Sequence, residues 1–149
     1  MAKRILVPLD EAVEAESMVG AVAALSRGTG AVVRLLNVAP RPDNVVDEDG
    51  RVLAYSDQEA ARIEAAALDY LRTVEIAFDG VLVECAVRFG DPVTQILEEA
   101  EAWNADLIAM TTRGRARIGR ALLGSVAEQV FRKASTAVTL YRAGRERAA

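Results

Sequence analysis

An α/β fold built on one parallel sheet is the class this sequence predicts, on three observations. Short apolar runs of strand length alternate with longer segments of helical spacing, in the order βαβαβαβαβ. The runs are continuous rather than alternating polar and apolar, as strands covered on both faces are. The chain has 149 residues, 52% of them hydrophobic and 27% charged, with neither an internal repeat nor a linker. It therefore reads as one domain over 1–149 with enough apolar material for a core, residues 143–149 forming a frayed charged tail.

The elements justify themselves in order. Arg4 to Leu9 (RILVPL) is the first strand; Pro8 would end its ladder, and Asp10 follows at its C-terminal end. Ala12 to Arg27 has helical spacing, with Ala15, Met18, Val19, Val22 and Leu25 on one side, acids in the first turn and Gly28 and Gly30 at its end. Ala31 to Val38 is the second strand. Residues 41–55 are polar and longer than a usual connection, which suits a mobile segment or a lid. Ser56 to Glu59 matches a capping box opening a helix to about Phe78, with Ile63, Ala67, Tyr70, Leu71 and Val74 on its stripe. Asp79-Gly80 turns the chain into the third strand, Val81 to Arg88. Asp91-Pro92 starts a helix whose buried stripe is Val93, Ile96, Leu97, Ala100 and Trp103. Asp106 to Thr111 is the fourth strand. Ser125 to Ala134 is a helix with Val126, Val130, Phe131 and Ala134 inward, and Thr136 to Arg142 is the last strand.

Composition removes several function classes. The net charge of -4 argues against general nucleic-acid binding. The one cysteine, Cys85, excludes an internal disulfide and a thiolate metal cluster, and there is no histidine. No apolar run approaches the ~20 residues that span a bilayer. The run in MAKRILVPLD is too short for a secretory leader, so a cytoplasmic location is expected.

Charge is unevenly placed. From Arg113 to Lys133 there are six basic residues and one acid, Glu128. Within that stretch, Gly114-x9-Gly124-Ser125 lies between a strand and a helix start. Glycines permit close backbone approach, and a helix start offers N–H donors and a positive dipole end, so the loop suits a phosphate. The same residues would also serve merely to shape a loop and cap a helix. Arg113 and Arg115, beside Gly114, are the arginines best placed to pair with phosphate oxygens. Asp10 could accept from a ribose hydroxyl or could cap the first helix. Thr94, Ser135 and Cys85 have no motif that supplies a base, so no catalytic residue is assigned.

Five segments in register, ILVPLD (Ile5 to Asp10), LLNV (Leu35 to Val38), GDP (Gly90 to Pro92), ADLIAMTTRGR (Ala105 to Arg115) and LLGSVAEQV (Leu122 to Val130), resemble the universal stress protein family over nearly the whole chain. The resemblance implies an adenine-nucleotide α-hydrolase-like, Rossmann-like sheet of order 3-2-1-4-5, and a homodimer through the last strand, 136–142. Part of that family binds ATP through Gly-x2-Gly-x9-Gly-Ser/Thr. The second and third glycines and the serine match Gly114, Gly124 and Ser125; the first glycine is replaced by Thr111, and the usual histidine before the second by Arg113. Carried over, Pro8 and Asp10 would sit by the ribose and adenine, Val38 would bond the adenine edge through its backbone, and Ala39 would flank it. Thr111 would lie by the ribose and α-phosphate, with Arg113 and Arg115 adding positive charge. Gly114, Gly124, Ser125 and Val126 would hold the phosphates. The expected cofactor is ATP or AMP, with Mg²⁺ or Mn²⁺ held mainly by phosphate. The expected function is a nucleotide-binding stress-response module with at most slow hydrolysis. The alternative is a family member that binds no nucleotide and acts through dimer and protein contacts.

Overall fold

The computed structural model describes residues 3–11, 16–112 and 126–142. Its elements run β1 (Arg4–Pro8), α1 (Val19–Thr29), β2 (Val32–Ala39), β3 (Val45–Val46), β4 (Val52–Ala54), α2 (Ser56–Glu75), β5 (Leu82–Phe89), α3 (Pro92–Trp103), β6 (Leu107–Thr112), α4 (Val126–Lys133) and β7 (Ala137–Arg142). Five strands form one sheet in the order β5-β2-β1-β6-β7, and every pairing in it is parallel. Numbering only those five strands along the chain, the order is the expected 3-2-1-4-5. β3 and β4 make a separate two-stranded antiparallel ribbon, which sequence reading did not foresee.

The sheet carries a core on each face. Alternate residues along and just past the strands, Ile5, Val7 and Leu9 with Val33, Leu35 and Ala109, pack with Val19, Val22, Leu71, Val74 and Phe78 on the α1–α2 side. The intervening residues, Leu6, Leu36, Ile108 and Met110, pack with Val93, Ile96, Trp103 and Val130 on the α3–α4 side. A strand that feeds both cores can spare few polar positions, which is why its sequence reads as an uninterrupted apolar run.

Four local expectations need correction. The expected start of α1 near Ala12 lies outside the described residues; its described part runs Val19–Thr29 and ends on Gly30 at φ 68. Its buried stripe is Val19, Val22, Ala23 and Ser26, which leaves Leu25, one position off that stripe, 40% exposed. Ser26 is tolerated inside because its hydroxyl donates to the Val22 carbonyl at 2.7 Å.

The capping box of α2 is displaced by one residue. The N-cap is Tyr55, whose N–H donates to Gln58 Oε1 at 3.2 Å, while the Ser56 N–H goes to Asn44 Oδ1 at 2.7 Å. Glu59 pairs with Arg62 instead. α2 also stops at Glu75, short of Phe78; the chain then folds back so that Phe78 enters the core. In α4 Ala127 and Val130 are buried and Val126 and Ala134 pack half-buried on the same core, as expected for all but Ala127, whereas Phe131 is 55% exposed. The start of α3 is as expected: the Asp91 carboxylate accepts from the Thr94 N–H at 3.0 Å and its hydroxyl at 2.9 Å, which holds the Asp91 carboxyl below its usual pKa.

Candidate functional site at the strand ends

The connections locate the crevice. β1 leads through α1 to β2, and β2 through α2 to β5, both helices packing on one face. The chain then crosses through α3, on the other face, to β6 on the far side of β1. The strand order therefore reverses between β1 and β6, and ligands of open α/β sheets bind beyond the C-terminal ends of strands at such a point. Here the strands part: β1 pairs with β6 only as far as Leu6 and Ile108, whereas its pairing with β2 continues to Pro8 and Leu36.

The backbone around this opening is set by hydrogen-bond alternation. Leu9 N–H donates to the Leu36 carbonyl at 2.8 Å, so odd residues of β1 turn their main chain toward β2. Pro8 turns its nitrogen toward β6, past the last β1–β6 pair, where its missing N–H costs no ladder bond. On β2, the Leu36 carbonyl faces β1 and the Ala39 carbonyl faces β5, accepting from Gly90 N–H at 2.9 Å. Val38, two residues beyond Leu36, thus turns its N–H and C=O toward the β1 side, beyond the last β1–β2 pair. Its side chain packs half-buried on the α3–α4 core, and Ala39 is buried.

Asp10 is exposed just past the end of β1. It belongs to an acidic surround of Tyr70. The Tyr70 hydroxyl donates to Glu16 Oε2 at 3.0 Å. Burial first, then that bond and the charges of Glu16, Asp10 and Glu11, push the phenol pKa well above its ordinary value, so Tyr70 remains a neutral donor. Thr111 is half-buried within β6, in register with Tyr141 of β7. Val126 is the first residue of α4 and is half-buried. Arg113, Gly114, Arg115, Gly124 and Ser125 lie outside the described residues. The segment that contains them leaves from Thr112, at the C-terminal end of β6, and returns at Val126.

Residues that sequence reading passed over support this rim. Asn37 is buried, and its Nδ2 donates to the Leu9 carbonyl at 2.8 Å, tying the exit of β1 to β2. A lone Asn inside the apolar run LLNV was the available signal. Arg88, the register partner of Val38, donates to Glu99 Oε1 at 2.7 Å and to Gln95 Oε1 at 3.0 Å. Arg34 donates to Glu99 Oε2 at 2.6 Å, pairs with Glu84, and lies 4.7 Å from the centroid of the Trp103 ring. Glu99 is buried. Burial alone would raise its pKa, but the hydrogen bonds and charges of Arg88 and Arg34 prevail and lower it. This network fastens the β2–β5 edge to α3.

Other features are less suited to an anion. An open cleft of about 490 Å³ lies at the opposite end of β6, lined by Glu101, Asn104, Asp106, Lys133 and Thr136 among others. It adjoins the C-terminal ends of α3 and α4, where the helix dipole disfavours phosphate. The Cys85 thiol is pushed up to about 11 by burial and by its contact with Glu75, so it is protonated at neutral pH. Among the described residues no group of three or more His, Cys, Asp or Glu side chains could hold a metal ion, and no helix is long and apolar enough to cross a membrane.

Comparison with known proteins agrees with this architecture. The model of the universal stress protein family matches residues 1–142. Universal stress protein MJ0531 of Methanocaldococcus jannaschii is 41% identical over 63 residues, which are 42% of this chain and 37% of that protein. The match thus spans well under two thirds of that relative's length. Among solved structures, hypothetical protein MJ0577 superposes with a TM-score of 0.75 at 23% identity, over 98% of this chain and 99% of its own. A universal stress protein in complex with cAMP superposes with a TM-score of 0.70 at 20% identity, over 96% of this chain and 98% of its own. At these identities the two likenesses establish the fold.

Proposed function

The chain belongs to the universal stress protein family, and from that premise we propose that it binds an adenine nucleotide in the crevice at the ends of β1, β2 and β6. The reading makes it a cytoplasmic regulatory or stress-response module. The observation that carries it is the outward-turned main chain of Val38, beside Asp10, at the switch point from which the Gly114-x9-Gly124-Ser125 segment departs. A solved relative of the same fold holds cAMP. In this reading Val38 meets the adenine edge with main-chain donor and acceptor, Ala39 flanks the base, and Pro8 and Asp10 meet the ribose. Gly114, Gly124, Ser125 and Val126 cradle the phosphates, and Arg113 and Arg115 answer their charge. The preferred ligand is ATP, with Mg²⁺ or Mn²⁺ carried by its phosphates. Among the described residues no base is placed to activate water, and in this reading hydrolysis is at most slow.

Calorimetric titration with ATP and Mg²⁺ tests the proposal. At a hundredfold excess over Kd, binding stabilises the fold by about 2.7 kcal/mol, a rise in Tm of roughly 5–10 °C. No heat and no shift at millimolar ATP would remove it. A second reading, a family member that binds no nucleotide and works through protein contacts, draws on Thr111, a β-branched strand residue where ATP binders carry glycine.

The proposal includes a homodimer through the last strand, expected over 136–142 and observed as β7, Ala137–Arg142. With Leu6 opposite Ile108 and Ile108 opposite Val138, alternation turns the Thr139 N–H toward β6 and the Leu140 N–H toward the open edge of the sheet. Thr139→Pro would therefore break the β6 ladder, whereas Leu140→Pro spares it and removes an edge donor. Its elution volume should be that of a monomer; an unchanged volume would place the interface elsewhere.

A further inference from the structure

The β3–β4 ribbon is a poor structural investment by itself. An isolated two-stranded ribbon is marginal in water. This one leaves four large apolar side chains in solvent within ten residues: Val46 is 54% exposed, Val52 42%, Leu53 66% and Tyr55 58%. Val46 and Val52 oppose one another across the ribbon, and Leu53 alternates to its other face. Yet the ribbon is well formed. At its tip the Asp47 carboxylate accepts from the N–H groups of Asp49 and Arg51 at 2.9 and 2.8 Å, and Gly50 takes φ 81. At its base Asn44 bonds the first residue of α2.

Charge decides which occupant fits. Residues 41–57 carry five carboxylates, Asp43, Asp47, Glu48, Asp49 and Asp57, against two cations, Arg41 and Arg51, so the ribbon's surround is net acidic. That rim repels nucleotide phosphates and nucleic acid. It also disfavours a second copy of a chain with net charge -4. On α4, where Phe131 is exposed, Arg132 is already paired with Glu128 at 2.9 Å. We propose that the ribbon is a docking surface for a basic amphipathic segment of another protein, with Leu53 and Tyr55 as apolar anchors and the acidic rim reading the partner's cations. An apolar anchor in a charged surround is the pattern by which an interface gains affinity from the anchor and selectivity from the rim.

The test uses the full chain and labelled synthetic helices of about five turns. One carries Leu at i, i+3, i+4 and i+7 with Lys elsewhere; a second replaces Lys by Glu, and a third replaces Leu by Ser. Fluorescence anisotropy should show binding of the Leu/Lys helix alone. Leu53→Ser with Tyr55→Ser should weaken it at least about tenfold, and so should Glu48→Lys with Asp49→Lys, circular dichroism being unchanged in both. Equal affinity of the Leu/Lys helix for wild type and both variants would overturn the proposal, as would equal affinity for the Leu/Lys and Ser/Lys helices. So would loss of wild-type self-association in the Leu53 and Tyr55 variant, which would make the occupant a second copy. A fall in ATP affinity in that variant, without a change in helix binding, would make the ribbon part of the nucleotide crevice instead.

Discussion

The main sheet and the β3–β4 ribbon are built from the same residue types and put them to opposite uses. In β1, β2 and β6, Leu6, Val7, Val33, Leu35, Leu36 and Ile108 are fully buried, because helices cover both faces. In the ribbon, Val46, Val52 and Leu53 meet solvent, because none of the described helices covers them. The difference shows that apolar content alone does not identify the core. What separates the two regions is whether the connecting segments return across the strand: the parallel strands need helical crossovers, whereas antiparallel β3 and β4 are joined by a short turn that covers nothing.

Truncation would break the comparison at its strongest point. Leu36→Ala, in the sheet, should cost about 3 kcal/mol and lower Tm by roughly 10 °C in a calorimetric melt. A loss below about 1 kcal/mol would mean that the second core is looser than its burial indicates.

A smaller effect is expected at the polar edge of that core. Glu99→Gln should cost about 2 kcal/mol at neutral pH, since it weakens charged hydrogen bonds to Arg34 and Arg88. The pKa of Glu99 is lower in the fold than its ordinary 4.5. The stabilisation is therefore complete above that value and is lost as the pH falls through the folded one. Denaturant titrations of wild type and variant should accordingly converge in acid. A difference that persists there would assign the cost to packing.

At the ribbon, Leu53→Ser should change stability by less than about 0.5 kcal/mol, in either direction, by the same denaturant titration. A larger loss would mean that the ribbon supports the fold, and the contrast with the sheet would be one of degree.

The legible features were those with local causes. Strands β1, β2 and β5 announced themselves by apolar runs, and α3 by Asp91, Pro92 and an apolar stripe that the structure reproduces. The rest depended on neighbours distant in sequence. Ser56 looked like a cap, but Asn44, twelve positions earlier, takes its N–H. Leu25 and Phe131 sat at helical spacing, yet the packing angle of each helix turned a neighbouring position inward. Of the candidate site, Pro8, Asp10, Val38, Ala39, Thr111 and Val126 are described at strand ends or a helix start, while Arg113, Gly114, Arg115, Gly124 and Ser125 lie outside the described residues. Asn37 and the Arg34–Glu99–Arg88 network gave only the weak signal of polar residues in or near apolar runs.

By itself the sequence determined the fold class and, through family resemblance, the sheet order, and it nominated the Gly114-x9-Gly124-Ser125 segment for the proposed phosphate role. These rest on periodicity, composition and motif spacing, which are properties of short stretches of chain. Only the tertiary structure decided which face each helix buries, that residues 45–54 form an exposed ribbon, and that Val38 turns its main chain beyond the end of β1. Those outcomes follow from hydrogen-bond register and side-chain packing between segments many residues apart, and no local pattern encodes them.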